Sequence, residues 1–213
     1  VLPMEVAQDH KAAYDGDKGP NTGGMGVYSP VKKITPAIID EAMETIMKPM
    51  AKAMMEEGHP FTGFLYGGLM LTDKGIKTIE FNARFGDPEA EVILPRLKSD
   101  FVEVIENIMN HKTVELTWDE EVTLGVVMAS EGYPASSTKG AVMKGFEDVD
   151  SMIFHMGTKE IDGNLVTDGG RVLIVVSKEK TLEEAYKKAY EDVEKITCDK
   201  LFYRKDIGKK DMQ

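Results

Sequence analysis

Three side chains at two-residue spacing, Glu80, Asn82 and Arg84, carry the clearest chemistry in the sequence. They lie in the run Thr78-Ile79-Glu80-Phe81-Asn82-Ala83-Arg84-Phe85-Gly86-Asp87-Pro88-Glu89, whose first half reads as a β-strand. Alternation puts Ile79, Phe81 and Ala83 on one face and Thr78, Glu80, Asn82 and Arg84 on the other. A carboxylate, a carboxamide and a guanidinium then succeed one another about 7 Å apart. Two oxygen donors beside one fixed cation suit a hard metal ion carrying phosphate, with the oxygens on the ion and the arginine on the anion. On pattern alone the run is an ordinary amphipathic strand with a polar outer face. Its second half tips the balance toward chemistry. Gly86-Asp87-Pro88-Glu89 reads as a tight turn into a helix, with Asp87 as N-cap and Pro88 at the first helical position. A polar strand thus feeds a helix start, where anions are favoured.

Two further polar stretches precede it. Gln8-Asp9-His10-Lys11 stands at the end of an apolar run and is either a site or a solvated loop. Asp15-Gly16-Asp17-Lys18-Gly19-Pro20-Asn21-Thr22-Gly23-Gly24-Met25-Gly26 has the paired aspartates of a calcium loop, but Pro20 sits where that loop needs glycine and Gly26 where it needs glutamate. No Gly-Lys-Ser/Thr comes after it, which excludes a Walker A loop. A glycine-rich loop with small polar side chains is left, able to wrap an anion with its amides or simply to be flexible.

Local patterns place these stretches on a scaffold. Val1 to Ala7 reads as a strand entered midway, which points to a fragment of a longer protein. Thr35 and Pro36 open a helix to about Glu57, stopped by Gly58, with Ile38, Ala42, Ile46, Met50 and Met54 inward and Pro49 kinking or splitting it. Phe64 to Leu71 is a strand, turned by Thr72-Asp73-Lys74-Gly75 into the Glu80 strand as an antiparallel hairpin. The helix after Pro88 runs to about Leu97. Ser99 caps another, with Val102, Ile105, Ile108 and Met109 on its buried face. From Thr113 to Asp119 the chain is polar and unpatterned, which marks a domain boundary. Beyond it Thr123–Ala129, Met152–Gly157 and Arg171–Ser177 read as strands, Thr181 and Glu184 cap a helix, and Leu201-Phe202-Tyr203 is a last short strand.

Composition narrows the class. With 213 residues, 42% hydrophobic and 30% charged, the chain can bury a proper core. A net charge of −11 without a Lys/Arg run argues against nucleic acid and anionic membrane surfaces as partners. No apolar run is long enough to span a bilayer. Cys198 is the only cysteine, so no internal disulfide forms and a reducing cytoplasm is expected. The 14 methionines fall mostly at helical spacing and read as core.

Taken in order, Gln8-Asp9-His10-Lys11, Gly19 to Gly26, Glu80 to Glu89 and Arg204-Lys205-Asp206-Ile207-Gly208 resemble the phosphoribosylamine–glycine ligase family, ATP-grasp enzymes of de novo purine biosynthesis. The resemblance covers the C-terminal half of the family protein. It implies an α+β fold: residues 1–113 as the second half of an ATP-grasp domain, an antiparallel sheet with helices, and residues 120–213 as a small, mainly β C-terminal domain with one helix. The implied reaction is ATP-dependent ligation of glycine to 5-phosphoribosylamine through a glycyl phosphate, giving glycinamide ribonucleotide, ADP and phosphate. The N-terminal α/β domain and most of the nucleotide-clamping lid would lie before Val1, so the fragment alone is expected to be inactive.

By the same resemblance Glu80 and Asn82 would ligate Mg2+ or Mn2+, and Arg84 would steady the transferring phosphate as the catalytic residue. Asp9, His10, Lys11, Asn21, Thr22, Gly23, Gly24 and Gly26 would bind substrate, with loop amides toward the ribose phosphate. Asp87 and Glu89 would bind amine groups, although Asp87 serves equally as a plain cap. Tyr66 to Leu71 lacks the carboxylate many ATP-grasp enzymes place there, so a complete two-metal site is not expected. The implied partners are ATP, glycine and 5-phosphoribosylamine, with no nucleic acid, no membrane, and a monomer at full length. The alternatives are a non-catalytic piece that binds phosphate or metal weakly, or another ATP-grasp ligase, against which the Asn21–Gly26 loop argues.

Overall fold

The computed structural model describes residues 1–212. The chain has no regular structure as far as Ala7, and β1 (Gln8–Asp9) is the first strand. The strand expected from Val1 does not form: Pro3 has no N–H for a ladder, and the neighbouring strand on this side meets the segment only at Gln8 and Asp9. β2 (Ala12–Tyr14) and β3 (Lys18–Asn21) make a hairpin around Asp15-Gly16-Asp17. Half of the expected glycine-rich loop is therefore strand, and β4 (Gly26–Ser29) begins at its last glycine.

Thr35 and Pro36 open α1 (Pro36–Ala42), which continues through a π-helical turn at Met43–Met47 into α2 (Lys48–Glu56). The break expected at Pro49 takes this form. Pro49 cannot bond the carbonyl one turn back, and the widened turn ahead of it absorbs the mismatch. β5 (Tyr66–Thr72) and β6 (Gly75–Asn82) pair antiparallel, as the turn residues predict. The helix expected after Pro88 is a single turn, α3 (Ala90–Ile93), succeeded by a 3-10 turn at Leu94–Arg96. α4 (Phe101–Met109) is capped by Asp100, whose carboxylate accepts from the amides of Val102 and Glu103, and not by Ser99. Then come β7 (Val122–Ser130), β8 (Met152–His155), β9 (Thr158–Ile161), β10 (Asn164–Thr167), β11 (Arg171–Glu179), α5 (Leu182–Val193) and β12 (Leu201–Phe202).

These elements pack into two compact units. One comprises residues 1–6, 32–86 and 97–119. It holds the π-broken helix, the β5–β6 hairpin and α4, with Phe64 stacked on Phe85 at 4.0 Å between ring centroids. α4 turns Val104 inward and leaves Val102 and Met109 exposed, which reverses much of the expected face. The other unit comprises residues 7–31, 87–96 and 120–213. Its antiparallel sheet runs β1-β4-β7-β11-β8, with β12 also on β7. β7 is buried along its whole length. α5 lays Leu182, Ala185, Ala189 and Val193 on β7 and β11, each large apolar side chain contributing roughly 1.5–3 kcal/mol. The segment that carries Gln8 to Gly26 is thus built into the same sheet as the C-terminal strands.

Candidate functional site

Asp15 and Asp17, the pair that mimics a calcium loop, are held by groups from the end of the chain. Arg204 is 1% exposed and donates to Asp17 Oδ1 at 2.9 Å, to both carboxylate oxygens of Asp206 at 2.8 and 2.9 Å, and to the Ala12 carbonyl at 3.1 Å. Lys210 pairs with Asp17, the Lys205 amide donates to Asp15 Oδ1, and the Gly16 amide donates to Asp206 Oδ2. Burial alone would raise Asp206, but hydrogen bonds from Arg204 and the Gly16 amide outweigh it and bring its pKa down to about 2. The β2–β3 turn is clasped shut.

His10 sits against this clasp. Gly208 donates its N–H to Nε2 at 3.2 Å, so Nδ1 carries the proton and donates to the Gly26 carbonyl at 3.2 Å. Burial, reinforced by Arg204, lowers the His10 pKa to about 4. A neutral ring with both nitrogens engaged ties the 8–11 segment to β4 and to the chain end. Asp9, beside it, has a side chain 8% exposed and pairs with Lys11 Nζ at 2.5 Å. Burial pushes its pKa up to about 6; Lys11 opposes the shift and Glu89 adds to it.

The loop between β3 and β4 folds over these residues. Thr22 donates its amide and its hydroxyl to the Lys11 carbonyl, Gly24 donates to Thr22 Oγ1 at 2.9 Å, and Met25 donates to the His10 carbonyl at 2.9 Å. Gly23 donates to the Tyr133 hydroxyl at 2.9 Å. The amides expected to face a phosphate are therefore engaged within the protein. What this region offers an anion is side-chain charge, chiefly that of Lys11, because Arg171 is taken up by Asp87 and the Gly23 carbonyl. Gly24 lies at φ +124°, and a Cβ there would stand 2.6 Å from Asp9 Oδ1 and from Pro88 Cδ. Asn21 ends β3 opposite Ala12, and Gly26 opens β4 opposite Val126.

Asp87 does not cap α3. Its carboxylate pairs with Arg171 Nη1 at 2.9 Å, and the same nitrogen donates to the carbonyls of Asp87 at 3.0 Å and Gly23 at 3.1 Å. Glu89, buried at the N-terminus of α3, gives its carbonyl to Val92 and Ile93. Within this unit the structure brings together Asp9, Lys11, Gly23, Gly24 and Asp87, with Pro88 packed against them. Sequence reading missed Arg171 and Tyr133. The Asp168-Gly169-Gly170 turn ahead of Arg171 marks a bend, but no local pattern tells that the next side chain reaches back to Gly23.

In the other unit Glu80 and Asn82 share one face at the end of β6, opposite Gly68 and Tyr66. A bulge at Ile79 precedes them, and the expected apolar face is broken there: Ile79 is 63% exposed. Arg84 lies beyond the strand, in a bend, with Nη2 3.5 Å from Asn82 Oδ1. Among the described residues no group of three His, Cys, Asp or Glu is arranged to hold a metal by itself. One carboxylate and one carboxamide fit magnesium, which binds by one or two protein oxygens and takes the rest from water and substrate phosphate.

Biotin carboxylase from Campylobacter jejuni shares the fold, with a TM-score of 0.57 over 89% of this chain and 42% of that one at 10% identity. The description "Phosphoribosylglycinamide synthetase, ATP-grasp (A) domain" matches residues 1–90, and the C domain of the same synthetase matches residues 123–210. The class is thus ATP-grasp. The chain belongs to the phosphoribosylglycinamide synthetase family, also called phosphoribosylamine–glycine ligase. It is 54% identical over 212 residues to the phosphoribosylamine–glycine ligase of Halalkalibacterium halodurans, covering 99% of this chain and 50% of the relative. The ligase structure from Thermotoga maritima superposes with a TM-score of 0.87 at 38% identity, covering 96% of this chain and 51% of that one. The chain spans about half the length of the curated relatives it matches.

Proposed function

We propose that this chain supplies the C-terminal half of a phosphoribosylamine–glycine ligase. Residues 1–113 would complete its ATP-grasp domain and 120–213 would form its C-terminal domain. The two family matches, at residues 1–90 and 123–210, fall on either side of that boundary. The observation that carries the reading is the pairing of Glu80 and Asn82 on one strand face, with Arg84 just beyond, in a chain of this family.

Glu80 and Asn82 would hold magnesium or manganese, which when bound neutralises charge between ATP and an attacking carboxylate. Arg84 presents a fork of N–H donors to the γ-phosphoryl oxygens as the glycine carboxylate attacks, releasing ADP and forming glycyl phosphate. The amine of phosphoribosylamine then displaces phosphate from the acyl carbon. Asp87 and Glu89 would receive amine groups. Asp9, Lys11 and the Asn21–Gly26 loop would face the sugar phosphate, with Lys11 supplying charge and His10 holding the loop from beneath. A single cysteine suits a cytoplasmic setting.

The test is ADP release with glycine and phosphoribosylamine. The chain alone should give none. Joined behind the first half of the Halalkalibacterium halodurans relative, it should turn over only when all three substrates are present. Release that does not depend on glycine, or a folded fusion without activity, would remove the ligase reading.

A further inference from the structure

Of the four loop amides from Thr22 to Met25, three donate to partners within residues 8–25. The fourth, that of Gly23, reaches the hydroxyl of Tyr133, 110 positions away. The Gly23 carbonyl accepts from Arg171, 148 positions away. Both polar groups of one glycine are thus held from the C-terminal stretch.

The two holders are also set against each other. Ser130 donates its amide to the Gly170 carbonyl at 2.7 Å, and Tyr133 donates its own to Ser130, so the turn that carries Tyr133 is bonded to the residue before Arg171. The Tyr133 ring lies on Gly170, where a Cβ would come within 2.4 Å of Cδ2. The Arg171 guanidinium lies on Gly23 in the same way, with Nε and Nη2 3.1 Å from where a Cβ would be. Each glycine makes room for the side chain that covers it. Through Asp87, Arg171 also joins the loop to the Asp87–Glu89 turn.

We propose that Tyr133 and Arg171 are positioning residues: they grip the N–H and C=O of Gly23 and preset the Asn21–Gly26 loop to receive a sugar phosphate. This rests on the reading that the loop faces the sugar-phosphate substrate. A loop fixed before binding loses little freedom on binding, so loosening it lowers affinity without a new clash. Because Tyr133 acts through its hydroxyl, Tyr133→Phe keeps the ring on Gly170 and removes only the acceptor.

The chain is titrated calorimetrically with ribose 5-phosphate, alongside Tyr133→Phe, Arg171→Lys and Lys187→Gln, the last an exposed α5 control. Amide exchange at Gly23 and Gly24 is monitored by NMR. Tyr133→Phe should bind about fivefold more weakly and Arg171→Lys at least about tenfold, as the loss of one and of several hydrogen bonds implies. Exchange at Gly23 should quicken while β7 and β11 amides and the melting temperature of Tyr133→Phe stay as in the parent. If the parent binds and both variants match it, the positioning role is overturned and the loop reading stands. If both variants melt early and lose protection throughout the sheet, their role is general stability and the proposal falls. If the parent does not bind ribose 5-phosphate, the sugar-phosphate reading of the loop is wrong and this inference falls with it.

Discussion

The end of β6 and the 8–26 segment carry two parts of the proposed chemistry under opposite rules. Glu80 and Arg84 stand in solvent, and the hairpin beneath them is only two strands wide. In the 8–26 segment, charge is paired, with one partner buried in two of the pairs: Asp9 against Lys11, and Asp17 against buried Arg204 as well as exposed Lys210. Groups that meet a metal and a nucleotide keep their hydration until the ligand replaces it. Groups that shape a backbone lose hydration on folding and need partners at once. Stability should therefore respond strongly to changes in the second region and hardly at all to changes in the first.

The largest effect should come from Arg204→Met, which leaves Asp206 and Asp17 without their buried cation. A loss of about 3 kcal/mol or more is expected by urea unfolding; less than about 1 kcal/mol would erase the contrast. The pH response comes next. Asp9 has its folded pKa raised to about 6 from 3.8, so the stability it contributes is present below about pH 4 and lost as pH rises through 6. His10 has its folded pKa lowered to about 4 from 6.5, so its contribution is present above about pH 6.5 and lost as pH falls through 4. Each is worth roughly 3 kcal/mol at about 1.4 kcal/mol per pH unit, and the two oppose each other. Asp9→Asn removes one of them. Its stability relative to the parent should climb by about 3 kcal/mol between pH 4 and 6, and parallel curves would show that Asp9 is not coupled to folding.

Gly24→Ala should cost about 2 kcal/mol, combining a left-handed backbone with contact on Asp9 and Pro88. Thermal melts that match the parent would mean the loop is looser than its geometry. The smallest effect on stability belongs to Glu80→Gln, within about 0.5 kcal/mol. In the chain joined to its relative's first half, the same change should weaken magnesium dependence and lower turnover at least about tenfold. Normal magnesium titration would take the metal away from this strand.

Legibility tracked distance along the chain. Thr181 before Glu184 and the Thr72–Gly75 turn act on neighbours within four positions and do in the structure what their residue types predict; the helix begins at Pro36 as expected, although the Thr35 side chain makes no cap bond. Ser99 and Asp100 compete for one cap, and the carboxylate, able to accept from two amides at once, takes it. In the β9–β10 hairpin only the Asp162-Gly163 turn carries a local signal, because Thr158-Lys159-Glu160-Ile161 is too polar to read as a strand. In the candidate site, the spacing of Glu80 and Asn82 is local and was legible. The partners of Asp15 and Asp17 stand about 190 positions away, so their pairing looked like a calcium loop.

The Arg204 clasp also sets a timetable. Asp17 and Arg204 are 187 positions apart, and β4, paired on one side with β1, finds its other partner only once β7 exists. At roughly 5–20 residues per second, a ribosome needs about 10–40 s to travel from one end of that clasp to the other. During this interval residues 7–31 have left the ribosome without the sheet and the cation that will hold them. Nascent chains stalled just before Arg204 should be cut by protease within that segment. Chains stalled far enough past Lys210 for the clasp to emerge should resist, so the arrival of residues 204–210 decides when residues 7–31 become folded.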